Sequence, residues 1–229
     1  MSFVLYDLLY LQDSVLLLLY FIIYTELGGY MSSLRLHKKG LRVLGFAESF
    51  VKEVSRSVLT GVVMRGDQFL IDGFGMTTLT VGGMDATEGV LRLFRQLNRT
   101  DINLLMFNGC IISWYNVIDL EEVFLTLDIP LVCVTYEESE GLEKYFKDNF
   151  KDWENRIEIY KKNGPRDEIK LHTEHLIYTR VYGMEPKETQ IILDRFILQG
   201  AVPEPLRVAR LLARALLKSE FSEFTCSDI

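Results

Sequence analysis

Residues 102–127, INLLMFNGCIISWYNVIDLEEVFLTL, constrain the fold more than any other stretch of this chain. Leu104-Leu105-Met106-Phe107 is an apolar run with the length of a strand buried on both faces. Asn108-Gly109 interrupts it. Val117, Leu120, Phe124 and Leu127 then recur at helical spacing, which predicts a helix after the break. A further apolar run, Leu131-Val132-Cys133-Val134, follows Pro130. Strand, helix and strand in this order form a parallel unit. Its polar loop lies at the carboxyl end of the first strand, where α/β sheets place ligands and catalytic groups.

The flanking sequence supplies the rest of a sheet. Residues 41–47 predict a first strand. Residues 57–65 and 69–74 are apolar and β-branched, and Arg65-Gly66-Asp67-Gln68 joins them as a short hairpin turn. Residues 76–81 predict one more short strand. Strands that follow one another without a helix between them pair antiparallel. After Gly82-Gly83 the period changes, with Val90, Phe94 and Leu97 on one helical face. Residues 140–162 read as one or two helices that stop at Asn163-Gly164-Pro165. Residues 169–172 and 176–182 read as strands, and residues 186–198 and 206–218 as helices. An antiparallel meander followed by alternating helices and parallel strands is the order of the ribonuclease H-like fold. The expected class is therefore α/β, a mixed sheet flanked by helices.

At 229 residues and 48% apolar composition the chain can bury one sizeable core, and residues 31–229 are expected to form a single domain. The formal net charge of −7 argues against a globally basic nucleic-acid binder and leaves room for a local basic surface. The cysteines Cys110, Cys133 and Cys226 are odd in number and without metal-ligand spacing, so they read as reduced thiols of a cytoplasmic protein. Residues 15–24 are all apolar, half of the about 20 needed to span a bilayer. Extending that run back to Phe3 admits Asp7 and Asp13, and no Lys or Arg precedes Arg35, so the basic start of a signal peptide is missing. Residues 1–30 are expected to stand outside the core. Either they are an over-extended start ahead of Met31, or they form a hydrophobic anchor or oligomerisation segment.

Three acids invite a chemical reading. Asp85 and Glu88 sit where a glycine turn becomes a helix, and the spacing suits a capping box with Asp85 as N-cap. Asp119, with Glu121 and Glu122, falls in the first turn of a helix that Asn116 could cap. Glu48 follows the first strand. Each has an ordinary structural reading. Pooled, Glu48, Asp85 and Asp119 could converge at one sheet edge and hold Mg²⁺, or Mn²⁺ in its place. Such an ion takes oxygen ligands, activates water and stabilises the leaving oxygen of a phosphodiester. Neither common Gly-rich phosphate loop is present, so no nucleotide cofactor is expected. Arg207, Arg210, Arg214 and Lys218 recur along one helical face, as a solvated stripe or as a track for phosphates.

Five blocks in order resemble one family: Leu41-Arg42-Val43-Leu44-Gly45, Gly61-Val62-Val63-Met64-Arg65-Gly66, Gly83-Met84-Asp85-Ala86-Thr87, Tyr115-Asn116-Val117-Ile118-Asp119, and Pro203-Glu204-Pro205-Leu206-Arg207-Val208-Ala209. This is the endonuclease dU family, an archaeal family related to endonuclease V, and the resemblance covers residues 41–217. It implies a ribonuclease H-like fold, Mg²⁺ dependence, and cleavage of DNA that contains deoxyuridine, a product of cytosine deamination. DNA is the implied partner. Glu48, Asp85 and Asp119 become the expected catalytic and metal-holding residues, and Arg65, Asn108, Asn116 and Arg207 the expected contacts to substrate. Two positions depart from the endonuclease V pattern. Ala47 stands where an Asp ends the first strand, with Glu48 next to it, and Asn108-Gly109 stands where an Asp precedes Gly. A one-residue shift along a strand turns a side chain to the opposite face, so Glu48 substitutes only if the strand has already ended. The alternative is a catalytically inactive nucleic-acid-binding or scaffold protein of the same fold.

Overall fold

The computed structural model describes residues 40–138 and 142–220. The expectations for residues 1–30, for Cys226 and for the first residues of the 140–162 stretch lie outside them. β1 (Arg42–Ser49), β2 (Arg56–Arg65) and β3 (Ile71–Thr80) form the antiparallel meander. Residues 57–64 of β2 are all buried, because helices cover both faces of the sheet there. α1 (Ala86–Leu97) leads to β4 (Leu104–Asn108), which returns parallel to β1. A small hairpin, β5 (Ile111–Ile112) and β6 (Asn116–Val117), precedes α2 (Leu120–Leu127) and β7 (Leu131–Thr135). α3 (Leu142–Asn149), α4 (Trp153–Lys162), β8 (Asp167–Lys170), β9 (Leu176–Tyr182), α5 (Pro186–Phe196) and α6 (Glu204–Glu220) complete the order. The seven-stranded sheet runs β3-β2-β1-β4-β7-β9-β8, with β1, β4 and β7 parallel and β9 and β8 antiparallel beyond them.

The two faces are set by alternation along the strands. Leu44, Phe46, Leu105 and Phe107 pack with residues of α1 and α2, and the Phe46 and Phe107 rings stack at 4.9 Å. Ala47 packs with Val62 and with Ala209 of α6. One residue along a strand reverses the face, so Ala47 and Asn108 stand side by side toward α6. The polar ends of the central parallel strands thus open beneath that helix.

Three local expectations change. The helix predicted directly after Asn108-Gly109 begins only at Leu120, because the β5–β6 hairpin intervenes. Val117 matches helical spacing by coincidence and is buried in β6 with Phe146 and Ile157. The stretches predicted at 69–74 and 76–81 form one strand, Ile71–Thr80, with Phe69 left in the turn: Gly75 pairs in register with Gly61, so the dip in apolar character does not interrupt the ladder. In α6 the buried row is Leu206, Ala209, Ala213 and Leu217, with Leu216 partly exposed. Among the described residues no helix is long and apolar enough to cross a membrane.

Candidate nucleic-acid cleft at the ends of the central strands

β1 continues through Ser49, so Glu48 is still a strand residue, paired with Leu59. By alternation it faces away from Ala47, toward the side of Phe46. It therefore does not take over the position of the missing acid. Its Oε2 is buried and has no hydrogen-bond partner among the described residues. Burial raises its carboxyl from 4.5 to about 7, against a smaller opposing effect of the Ser113 backbone N–H.

Asp85 and Asp119 are engaged in holding loops and helix ends. The Asp85 carboxylate accepts from the Thr80 N–H at 3.1 Å, the Thr80 hydroxyl at 2.9 Å and the Asn116 amide at 2.7 Å. It makes no side-chain cap to α1. The expected capping box is replaced by Asn116, whose Oδ1 accepts from the Ala86 N–H at 3.0 Å, while Glu88 pairs with Arg95 at 3.0 Å. Asp119 is the N-cap of α2: Oδ1 accepts from the Glu122 N–H at 2.9 Å, and Oδ2 pairs with Lys162 Nζ at 2.8 Å. The Thr87 hydroxyl and the Asp119 backbone N–H, 2.9 Å apart, tie the two helix starts together. Among the described residues no group of three His, Cys, Asp or Glu side chains gathers as a metal site.

The expected substrate contacts divide in the same way. Arg65 pairs in register with Arg42, at the opposite end of β1 from Glu48, roughly 20 Å away by strand rise. There it meets Asp72 at 3.2 Å, in a cluster with Arg42 and Asp101. Asn116 is buried as the bridge just described. Arg207 makes a two-pronged ion pair with the buried Glu204, at 2.6 and 2.9 Å. Asn108 alone reaches a cleft. That cleft has a volume of about 330 Å³, at the carboxyl ends of β4 and β7, and its wall includes Asn108, Thr135, Tyr136, Glu137, Arg166 and Arg210. The Arg166 Nη1 donates to the Glu137 carbonyl at 3.0 Å and to Thr135 Oγ1 at 3.3 Å, and its guanidinium lies 5.2 Å from the Tyr178 ring. Tyr136 Oη is buried and has no hydrogen-bond partner among the described residues. Sequence reasoning singled out Arg210 as part of the basic stripe. It missed Tyr136 and Arg166, which lie just past β7 and before β8 and meet only in the folded chain.

The sequence profile of the endonuclease dU family matches residues 39–217. The chain belongs to that family. A UPF0215 protein of Pyrobaculum calidifontis is 37% identical over 171 residues, 74% of this chain and 93% of the relative. A UPF0215 protein of Thermococcus gammatolerans is 28% identical over 190 residues, 80% of this chain and 95% of the relative. Among solved structures, a protein of unknown function from Archaeoglobus fulgidus has a TM-score of 0.67 and 25% identity, covering 77% of this chain and 98% of its own. Human endonuclease V has a TM-score of 0.56 at 16% identity, covering 81% of this chain and 88% of its own. Endonuclease V of Ciona intestinalis, solved with a 24mer DNA containing an inosine followed by a ribo-adenosine, has 0.56 at 15%, covering 80% and 89%. This member of the family thus has the ribonuclease H-like fold of endonuclease V.

That kinship implies a divalent metal. At the strand ends the chain offers Ala47 and the neutral Asn108. Around the cleft stand two guanidinium groups and one carboxylate, Glu137. A protein-held Mg²⁺ takes one or two carboxylates, and here the one present stands beside two guanidinium groups that repel a cation. This set does not fit.

Proposed function

We propose that this protein acts on DNA at deaminated bases, deoxyuridine foremost, as an endonuclease of its family. The observation that carries this reading is the span of the family match: residues 39–217 include every strand of the sheet and nearly all of α6. The cleft supports it, because it opens at the carboxyl ends of parallel strands and is walled by cationic groups suited to a phosphate backbone. DNA is the proposed partner, as in the inosine-DNA complex of the Ciona relative. A reducing, cytoplasmic setting suits the free, buried thiols of Cys110 and Cys133. Mg²⁺ or Mn²⁺ is the cofactor that kinship suggests. The cleft does not fit a protein-held ion, and the chain's own residues bind and orient the strand.

A second reading has its own observation. Ala47 and Asn108 leave the strand ends without charge, which favours a protein that binds damaged DNA without cutting it. One experiment separates the two. Labelled oligonucleotides carrying uracil, inosine or no damage are incubated with the full chain in Mg²⁺, Mn²⁺ or EDTA, and both cleavage and binding are followed. Cutting at uracil in preference to undamaged DNA is expected for the endonuclease. Uracil-selective binding with no cutting in any metal would replace it by the second reading. Neither binding nor cutting would sink both.

A further inference from the structure

We infer that the cleft is a phosphate site that works without a divalent metal, in which Arg210, the Tyr136 hydroxyl and the Asn108 amide take one backbone phosphate of a DNA strand. The inference rests on the DNA-directed reading above and goes deeper into the same site.

Four observations meet there. Arg210 reaches the cleft wall from α6, and among the described residues it makes no hydrogen bond or ion pair. Its neighbour one turn earlier, Arg207, is neutralised by Glu204. A phosphate oxygen is the partner that a guanidinium in such a wall is built to meet, through charge-assisted and often two-pronged hydrogen bonds. Second, the Tyr136 hydroxyl is buried and has no partner among the described residues. Burial pushes its ionisation well above the usual phenol range, so it stays a donor. A buried donor without an acceptor is costly, and an anionic oxygen would remove that cost. Third, Asn108 adds an amide and Ala47 adds nothing, so the one carboxylate on the wall, Glu137, stands against two guanidinium groups. Fourth, Arg166 is held at the rim by Thr135, the Glu137 carbonyl and the Tyr178 ring. A volume of about 330 Å³ falls at the lower end of the about 300–1,000 Å³ of ligand pockets. Where a metal-bearing relative would neutralise a phosphate with a cation, this chain presents its own.

The test is fluorescence anisotropy of a labelled single-stranded uracil oligonucleotide with the full chain, in EDTA and in Mg²⁺. Inorganic phosphate serves as competitor. Binding is expected to survive EDTA. R210A should weaken it ~10–100-fold, the scale of a lost hydrogen bond to a charged group, and Y136F less. R214A, on the exposed part of the same stripe, should weaken it far less than R210A. Should R210A melt early, R210K and Y136F carry the comparison, with thermal melts as controls. Binding that vanishes in EDTA and returns with Mg²⁺ overturns the inference, as does wild-type affinity in both R210A and Y136F. Phosphate that binds through Arg210 without displacing the oligonucleotide overturns the assignment to a DNA strand. Metal-dependent cutting of uracil DNA with unaltered affinity in both R210A and Y136F would leave the endonuclease reading intact and remove only the phosphate site.

Discussion

At the end of β1 a carboxyl sits where water does not reach one of its oxygens. Glu48 has its folded-state pKa raised from 4.5 to about 7, with burial as the main cause. The folded chain therefore holds that proton more tightly than the unfolded chain does. The stability this provides is complete below about pH 4.5 and is lost as pH rises through 7, at a cost of up to about 3 kcal/mol. Glu48→Gln keeps the shape and removes the titration. Melting temperatures measured between about pH 5 and pH 8 should fall for the wild type relative to the variant, and parallel curves would refute the buried-acid account. Asp119 is expected to behave differently. Asp119→Asn keeps an N-cap side chain and loses the contact to Lys162, which is partly exposed, so stability should drop by under about 1 kcal/mol, and DNA binding and any cutting should persist. Loss of cutting by orders of magnitude, at unchanged stability, would return Asp119 to the chemistry. The sequence made these acids visible but not their partners. Capping and metal binding call for the same residue types, and only the fold shows that Asn116 takes over the cap of α1 and frees Asp85 to hold Thr80.

The β5–β6 hairpin is the element that the sequence concealed. Its turn residues Ser113, Trp114 and Tyr115 all have positive φ, at 46°, 56° and 65°, a conformation that costs non-glycine residues and needs support from outside the turn. Arg156 supplies it from α4. Its guanidinium donates to the carbonyls of Gly82, Gly83 and Tyr115 at 2.7–2.8 Å, stacks 3.9 Å from the Phe150 ring and pairs with Asp152. The side chain is 3% exposed, so losing it would strand three carbonyls away from water. Arg156→Met should lower unfolding free energy by about 3 kcal/mol or more, read from the urea midpoint at constant slope. A change within about 0.5 kcal/mol would mean that the turn holds itself. The regular elements were legible for simple reasons. β4 and β7 are apolar up to their last residue, β1 is apolar from Val43 to Ala47, and α1 and α6 carry clean 3.6-residue periodicity. The hairpin was not legible, because two-residue strands have no period to detect and Val117 imitates the first turn of α2. The cleft was only half legible. Asn108 marks a strand end in the sequence, but Tyr136, Arg166 and Arg210 come from three segments that only the sheet order brings together.

At the scale of the whole molecule, the cleft depends on how closely α6 lies against β1. The contact is made at Gly45, where an added Cβ would stand 2.7–2.8 Å from the carbonyl carbon, oxygen and Cβ of Pro205. Two of these are backbone atoms at the start of α6, which cannot yield as a flexible side chain would. The helix approaches this closely only because Gly45 has no side chain. Further along, Ala209 rests on Ala47 and Val62, and its carbonyl accepts from the Thr60 hydroxyl at 2.8 Å. That anchorage sets where Arg210, the next residue, meets the strand ends. Gly45→Ala would gain up to about 1 kcal/mol from reduced freedom of the unfolded chain, yet overpacking against backbone costs about 1–3 kcal/mol and should prevail. Gly73→Ala is the matched control, since its Cβ would meet its nearest atom, in Arg99, at an ordinary 3.6 Å. The expected outcome is a lower melting temperature for Gly45→Ala and an equal or higher one for Gly73→Ala. Below both melting temperatures, uracil-oligonucleotide affinity in EDTA should fall only in Gly45→Ala, because moving α6 off the sheet carries Arg210 away from Tyr136 and Asn108. If Gly45→Ala is less stable but binds as tightly as wild type, then the seating of α6 matters to folding and not to the cleft.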